Sequence, residues 1–302
     1  MIKLRDIHHV RIGTRDLARV IDFAQRIIGL ELVGRANGVA YLCAPTRADA
    51  SDHTLAYFDG DPSDQTIGFE LQDPADFHAA AWAIERAGQR VRVGTQREAD
   101  AREVRQFMAF CDPSGHRIEI VVRPDQSAAR IAAPRDAGLT RLSHVGLRTS
   151  NASRDEAFWT RVCAMRVSDW IGDAALLRTG TRHHALALYP SSLTGIQHIS
   201  FAVTSFDELM RSCYFLREQG VKILFGPGRD PLSGASFVYF EGPEQMIYAY
   251  SFGMRAIQPA TEATYRARQF PFEPASFCEW GALPDIKEFD ASRRPLERKF
   301  AT

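Results

Sequence analysis

The sequence predicts an α+β fold of four β-α-β-β-β modules in two tandem halves, and three observations carry that prediction. A strand-then-helix pattern restarts near residues 7, 66, 142 and 196. Amphipathic helical stretches in the first, second and fourth repeats are stopped by Gly29, Gly88 and Gly220. The segments of the first half can also be laid over those of the second.

Taken in order, Ile7-His-His-Val-Arg-Ile-Gly alternates as a strand does, and Thr14-Arg-Asp caps a helix in which apolar Leu17, Val20, Ile21, Phe23, Ala24, Ile27 and Ile28 recur at helical spacing. Strands at Leu30–Gly34, Val39–Ala44 and His53–Phe58 complete the first module. The second has a strand from Thr66, a helix from Pro74 to Ala87, and strands near Val91, near Phe107 and at Arg117–Val122. The third opens on Leu142-Ser-His-Val-Gly-Leu, with a helix at Arg154–Cys163 and a strand at Ala185–Tyr189. The fourth opens on Ile196-Gln-His-Ile-Ser-Phe, with a helix at Phe206–Gln219. It closes on two strands, Phe237–Phe240 and one from Met246, joined through Gly242-Pro243.

In the overlay His9 falls on His144, His53 on His184, Thr66 on His198 and Glu119 on Ala249. Residues 1–123 read as an N-terminal domain, 124–139 as an Ala/Pro/Ser/Asp linker, and 140–253 as a C-terminal domain. Residues 254–302 form a proline- and aromatic-rich tail. Its prolines forbid a long helix, while Phe270, Phe272, Phe277 and Trp280 are too apolar for a free end. An extended arm packed on the body or on a neighbouring copy in a homo-oligomer is expected.

Composition narrows the function. The 302 residues hold 37 Lys and Arg against 37 Asp and Glu, with 45% apolar residues, so no charge argument favours nucleic acid or a membrane surface. No apolar run reaches the ~18 residues of a membrane span, and the first residues lack the apolar core of a signal peptide. Five scattered cysteines (43, 111, 163, 213, 278), without a CxxC pair, read as reduced and mostly buried thiols of a cytoplasmic protein.

Two imidazoles, His144 and His198, open the strands of modules three and four, and a hairpin strand follows. This arrangement resembles the vicinal oxygen chelate superfamily, and within it the two-domain type I extradiol catechol dioxygenases, over residues 5–253. The resemblance implies that each pair of modules closes a funnel-like barrel. It further implies that the C-terminal funnel holds Fe(II), or Mn(II), on two histidines and a glutamate, and that a chelated catechol is opened by O2. Position by position, it makes His144 and His198 metal ligands. His184 becomes the histidine beside the oxygen site, and Tyr239 the tyrosine that hydrogen-bonds substrate.

The hairpin departs from the family pattern. Gly228-Arg-Asp230 stands where a second pocket histidine belongs, Gly242-Pro-Glu-Gln245 replaces Asp-Pro-x-Gly, and Ala249 replaces the ligand glutamate. A face of two histidines and one carboxylate suits Fe(II) because it leaves open positions for substrate and O2. Without the carboxylate, iron is expected to be held weakly or not at all. Alternation places Ile247 and Ser251 on the face of Ala249, neither a charged ligand, which leaves Asp230 as the candidate substitute. Two readings follow. One is an enzyme, either a ring-cleaving dioxygenase or a divergent lyase or isomerase of the same superfamily, with a two-histidine or Asp230-completed metal site. The other is a metal-free or weakly metal-binding protein that binds an aromatic or enolic small molecule.

The N-terminal half keeps His9 and Glu119 but has Thr66 where a second histidine would stand; His53 or His116 is the candidate to complete a set, and a vestigial site is the expectation. Of the neighbours His183 and His184, one is expected in the funnel and the other on the surface. Arg148 and Arg182 read as surface charges.

Overall fold

The structure, a computed structural model, describes residues 1–44, 54–123 and 135–291. The first half runs β1 (Leu4–Thr14), α1 (Leu17–Phe23), β2 (Glu31–Ala36), β3 (Val39–Cys43) and β4 (Leu55–Asp59). It continues with β5 (Gln65–Leu71), α2 (Phe77–Arg86), β6 (Arg92–Val93), α3 (Gln96–Asp100), β7 (Gln106–Cys111) and β8 (Arg117–Val122). The second half runs β9 (Leu139–Thr149), α4 (Ala152–Arg161), β10 (Arg166–Ile171), β11 (Ala174–Arg178) and β12 (Leu186–Pro190). Then come β13 (Gly195–Val203), α5 (Phe206–Glu218), β14 (Ile223–Arg229), β15 (Ser236–Glu241) and β16 (Ile247–Phe252), with β17 (Arg268–Phe270) in the tail.

Each half is one mixed sheet, eight strands in the order β2-β3-β4-β1-β5-β8-β7-β6 and nine in the order β14-β15-β16-β13-β9-β12-β11-β10-β17. The opening strands of paired modules meet antiparallel at the centre, β1 on β5 and β9 on β13. The closing strand of each module lies parallel beside its own opener. Centrality explains the near-continuous burial of the openers, which are covered on both faces. It also brings His144 on β9 and His198 on β13 to the middle of the second sheet.

The caps follow the residue chemistry. Asp16 accepts from Arg19 N at 3.0 Å, Asn151 from Arg154 N at 3.0 Å, and Ser205 from Glu208 N at 3.1 Å. The first helical stretch widens into a π turn over Ala24–Ile28 before Gly29 ends it at φ 90°. Thr95 and Glu98 form a capping box on α3, an element the periodicity did not suggest because it spans only five residues.

One continuous apolar core lies under both sheets, with Phe69 and Trp159 of opposite halves 5.2 Å apart. Arg135 ties the halves as well, donating to Ile27 O at 2.7 Å and to Ser212 Oγ at 2.7 Å. A second cluster lines the concave side of the second sheet and takes in Tyr189, Phe225, Tyr239 and Ala249 together with Phe277 and Phe289 of the tail. The tail is extended where β17 joins β10 in parallel. Phe277 is buried, Phe270 and Phe272 half-buried, and Trp280 is 49% exposed. Removing everything after Gly253 would uncover the concave cluster. Burial of a large apolar side chain is worth ~1.5–3 kcal/mol, so the truncated chain is expected to melt at a clearly lower temperature. An unchanged melting curve would contradict the packing. Of the five cysteines, Cys111 is exposed and the other four are buried, and among the described residues none forms a disulfide.

Candidate small-molecule site in the C-terminal funnel

On β9 the residues His144, Gly146 and Arg148 share the concave face, while Val145 and Leu147 enter the core. Gly146 lies opposite His198 in the register. A Cβ built on Gly146 would stand 2.5 Å from His198 Nδ1, so glycine at 146 is what leaves room for the His198 ring. The first half repeats the device, with Gly68 opposite His9 and the same 2.4 Å conflict. Both glycines were visible in the sequence, in His-Val-Gly146 and Ile-Gly68-Phe, but their role appears only with the register.

The imidazoles of His144 and His198 lie 5.0 Å apart between ring centroids, and that of His184 lies 4.4 Å from His144. Tyr239 stands 5.0 Å from His198. All four are at least nine-tenths buried. Burial, then the neighbouring imidazoles and Arg182, holds the His144 and His184 pKa values well below the ordinary range; burial and then Arg148 brings His198 down to about 3. These rings are neutral at physiological pH. Burial raises the Tyr239 and Tyr189 phenols, which therefore remain donors. His198 Nδ1 donates to Gln197 Oε1, and its Nε2 has no hydrogen-bond partner among the described residues.

His183 is fully buried rather than on the surface, because it has a partner beneath the sheet. Its Nε2 meets Asp169 Oδ2 at 2.9 Å, and its Nδ1 meets His184 Nδ1 at 3.1 Å. A carboxylate only accepts, so Nε2 of His183 carries the proton; in the neutral ring Nδ1 then accepts from His184 Nδ1–H. This leaves the Nε2 lone pair of His184 for the funnel. Arg148 and Arg182 also differ from the expectation. Arg182 is tied to Asp6, and Arg148 pairs with Glu288 at 2.9 Å. Each is mostly buried.

Asp230 lines the same cavity, but its carboxylate is engaged in its own turn, accepting from Leu232 N at 2.9 Å, Ser233 N at 3.1 Å and Ser233 Oγ. Ala249 of β16 pairs with Ser200 of β13, which pairs with His144 of β9, so the three form one row across the sheet. Ile247 belongs to the concave cluster and Ser251 lines the cavity, whereas Tyr248 and Tyr250 enter the core. The cavity between these groups measures about 40 Å³, space for water rather than for an aromatic ring.

The family model of the Glyoxalase/Bleomycin resistance protein/Dioxygenase superfamily matches residues 6–120 and 141–246. The chain belongs to that superfamily. It is 24% identical over 285 residues to the 1,2-dihydroxynaphthalene dioxygenase of Sphingobium xenophagum, covering 88% of this chain and 93% of the relative. It is also 24% identical over 230 residues to an iron-dependent extradiol dioxygenase of Rhodococcus jostii strain RHA1, covering 69% and 75%. Among solved structures, the Mn(II)-bound glyoxalase from Novosphingobium aromaticivorans aligns with a TM-score of 0.82 at 23% identity over 95% of this chain and 94% of that one. The homoprotocatechuate 2,3-dioxygenase of Arthrobacter globiformis aligns at 0.80 and 19% over 95% and 92%. The chain thus resembles ring-cleaving extradiol dioxygenases, and its fold is theirs.

The metal implied by those relatives does not fit the donor set of this funnel. Three neutral imidazoles, His144, His184 and His198, converge, but a methyl stands in the row of His144. Among the described residues no group of three His, Cys, Asp or Glu side chains is arranged to hold a metal ion.

The first half shows how such a position is closed. His9 Nε2 meets Glu119 Oε2 at 3.2 Å, and Arg102 Nε donates to both carboxylate oxygens at 2.9 Å. The guanidinium thus supplies the positive charge beside this carboxylate. His116 belongs elsewhere, bonded to Asp112 at 2.8 Å and to Arg148 O at 2.8 Å, and His53 lies outside the described residues. Burial alone would raise the Glu119 pKa, but the bonds from His9 and Arg102 outweigh it and bring it from 4.5 to about 2. A carboxylate depressed on folding contributes stability above its unfolded value and loses it as pH falls toward its folded value. Glu119→Gln is therefore expected to flatten the loss of stability between about pH 4.5 and 2. Chemical denaturation across that window checks it, and parallel pH profiles for the two proteins would refute it.

Proposed function

We propose that the chain binds an aromatic or enolic small molecule in the C-terminal funnel, with any divalent metal held only weakly. One observation carries the reading: neutral imidazoles and phenols converge beside Ala249, and among the described residues no His, Cys, Asp or Glu completes a metal-holding group with them. In such a site the chain's own groups do the recognising. Buried His198 Nε2 and His184 Nε2 accept from ligand hydroxyls, Tyr239 donates to a ligand oxygen, and the aromatic wall excludes water. A planar, oxygen-bearing ring matches that combination of partners.

The test is elemental analysis of protein purified without chelators, followed by calorimetric titration with catechol in metal-free buffer. Substoichiometric metal with measurable binding is the expected result; one tightly bound iron per chain would overturn it. The kinship with extradiol dioxygenases, together with His184 beside the pair, favours a second reading as a ring-cleaving enzyme. Catechol-dependent O2 uptake on adding Fe(II) would decide for it. Among the described residues no helix is long and apolar enough to cross a membrane.

A further inference from the structure

In the turn Lys287–Phe289, Lys287 is exposed while Glu288 and Phe289 are buried, and Phe289 enters the funnel. Phe289 is 3% exposed, with its ring 4.9 Å from Tyr189, 5.8 Å from Tyr239 and 6.3 Å from His198. Beside it, Glu288 Oε1 accepts from Arg148 Nε at 2.9 Å and from Ser191 Oγ at 3.1 Å. Arg148 also donates to Ile196 O at 2.7 Å, so its guanidinium is held in place by the sheet, while its anion arrives from the tail.

A buried ion pair is a poor device for fastening a tail. Desolvating two charges offsets most of their attraction, and an apolar pair of similar shape would hold as well. The pair makes better sense as recognition. Arginine presents a planar fork suited to a carboxylate, and here it sits four residues from His144 on the same strand face. With Glu288 and Phe289 in place the cavity has room for water only. With them withdrawn, the funnel offers a fixed guanidinium and a hydroxyl at one end of an aromatic slot that leads to His198 and Tyr239.

We propose that Glu288 and Phe289 are a built-in occupant of the ligand site, and that its ligand is an arene joined through a short chain to a carboxylate. The ring takes the place of Phe289 and the carboxylate that of Glu288 on Arg148 and Ser191. This rests on the reading of the funnel as a small-molecule site and names the class of molecule.

The experiment titrates the full chain and its variants with 3-phenylpropionate and with the neutral 3-phenylpropan-1-ol. Withdrawing the occupant raises the competent fraction, so Glu288→Gln with Phe289→Ala is expected to bind the acid at least about tenfold more tightly than wild type. The alcohol should bind this double variant more weakly than the acid, and Arg148→Gln added to it should abolish the preference. Where the double variant does not fold, Glu288→Gln with Phe289→Leu, which keeps part of the apolar packing while vacating the ring's place, is held to the same criterion. Equal affinity for acid and alcohol, or a preference that survives Arg148→Gln, overturns the inference and leaves the funnel reading intact. No binding of either probe to a folded variant overturns both.

Discussion

Ala249→Glu is expected to raise the affinity for Fe(II) or Mn(II) by more than a hundredfold. Ala249, Ser200 and His144 form one row across three strands, and the methyl of Ala249 belongs to the cluster lining the funnel. A glutamate there projects its carboxylate over the ground where His144 and His198 converge. Losing one supporting partner of a metal ligand costs about 10–100-fold in affinity, so restoring a whole anionic ligand is worth more. The added methylenes need space. The cavity supplies about 40 Å³, and the remainder has to come from displacement of Phe289. Competition against a calibrated chelator measures the gain, which should vanish when His144→Ala is added. An affinity unchanged by Ala249→Glu would mean that the strand face is aimed elsewhere.

Asp169→Asn is expected to lower the melting temperature by several degrees and to loosen the tail. Asp169 is fully buried and accepts from His183 Nε2 at 2.9 Å, Arg255 Nη2 at 2.9 Å, Arg268 Nη2 at 2.6 Å and the Arg268 backbone N at 2.7 Å. Breaking a buried ion pair costs ~3–5 kcal/mol, but the two guanidinium groups are 37% and 43% exposed, and solvent screening reduces this to about 2 kcal/mol. Burial would raise the Asp169 pKa, yet bonds from His183 and Arg268 bring it from 3.8 to about 2. Its contribution is therefore complete above the unfolded value and lost as pH falls from about 4 toward 2. Calorimetry at neutral pH and limited trypsinolysis near Arg268 check the result. Equal melting and equal cleavage would show that the tail is held by its apolar contacts alone.

The same substitution reaches the funnel through His183, since the carboxylate sets the tautomer of both adjacent histidines. That chain of bonds was not legible in the sequence. Two neighbouring histidines on a strand face opposite ways, and the ordinary fate of the outward one is solvent. Here β17, recruited from the tail, covers the neighbouring strand and brings Arg268 to the carboxylate that holds His183.

By itself the sequence determined the repeat and its consequences. Apolar alternation, helix caps and stopping glycines specified four modules. The matched placement of His144 and His198 carried both imidazoles to the central strands, because strand periodicity and module pairing are encoded locally. The absence of a carboxylate at 249 was equally plain, since it is a matter of residue type. What only the tertiary structure decided are contacts between segments distant in the chain. Arg102 closes the N-terminal position on Glu119, Gly146 yields space to His198, and Glu288 and Phe289 enter the funnel beside Arg148. No local pattern announces such meetings, because a buried charge finds its partner through the packing of whole elements and not through its neighbours in sequence.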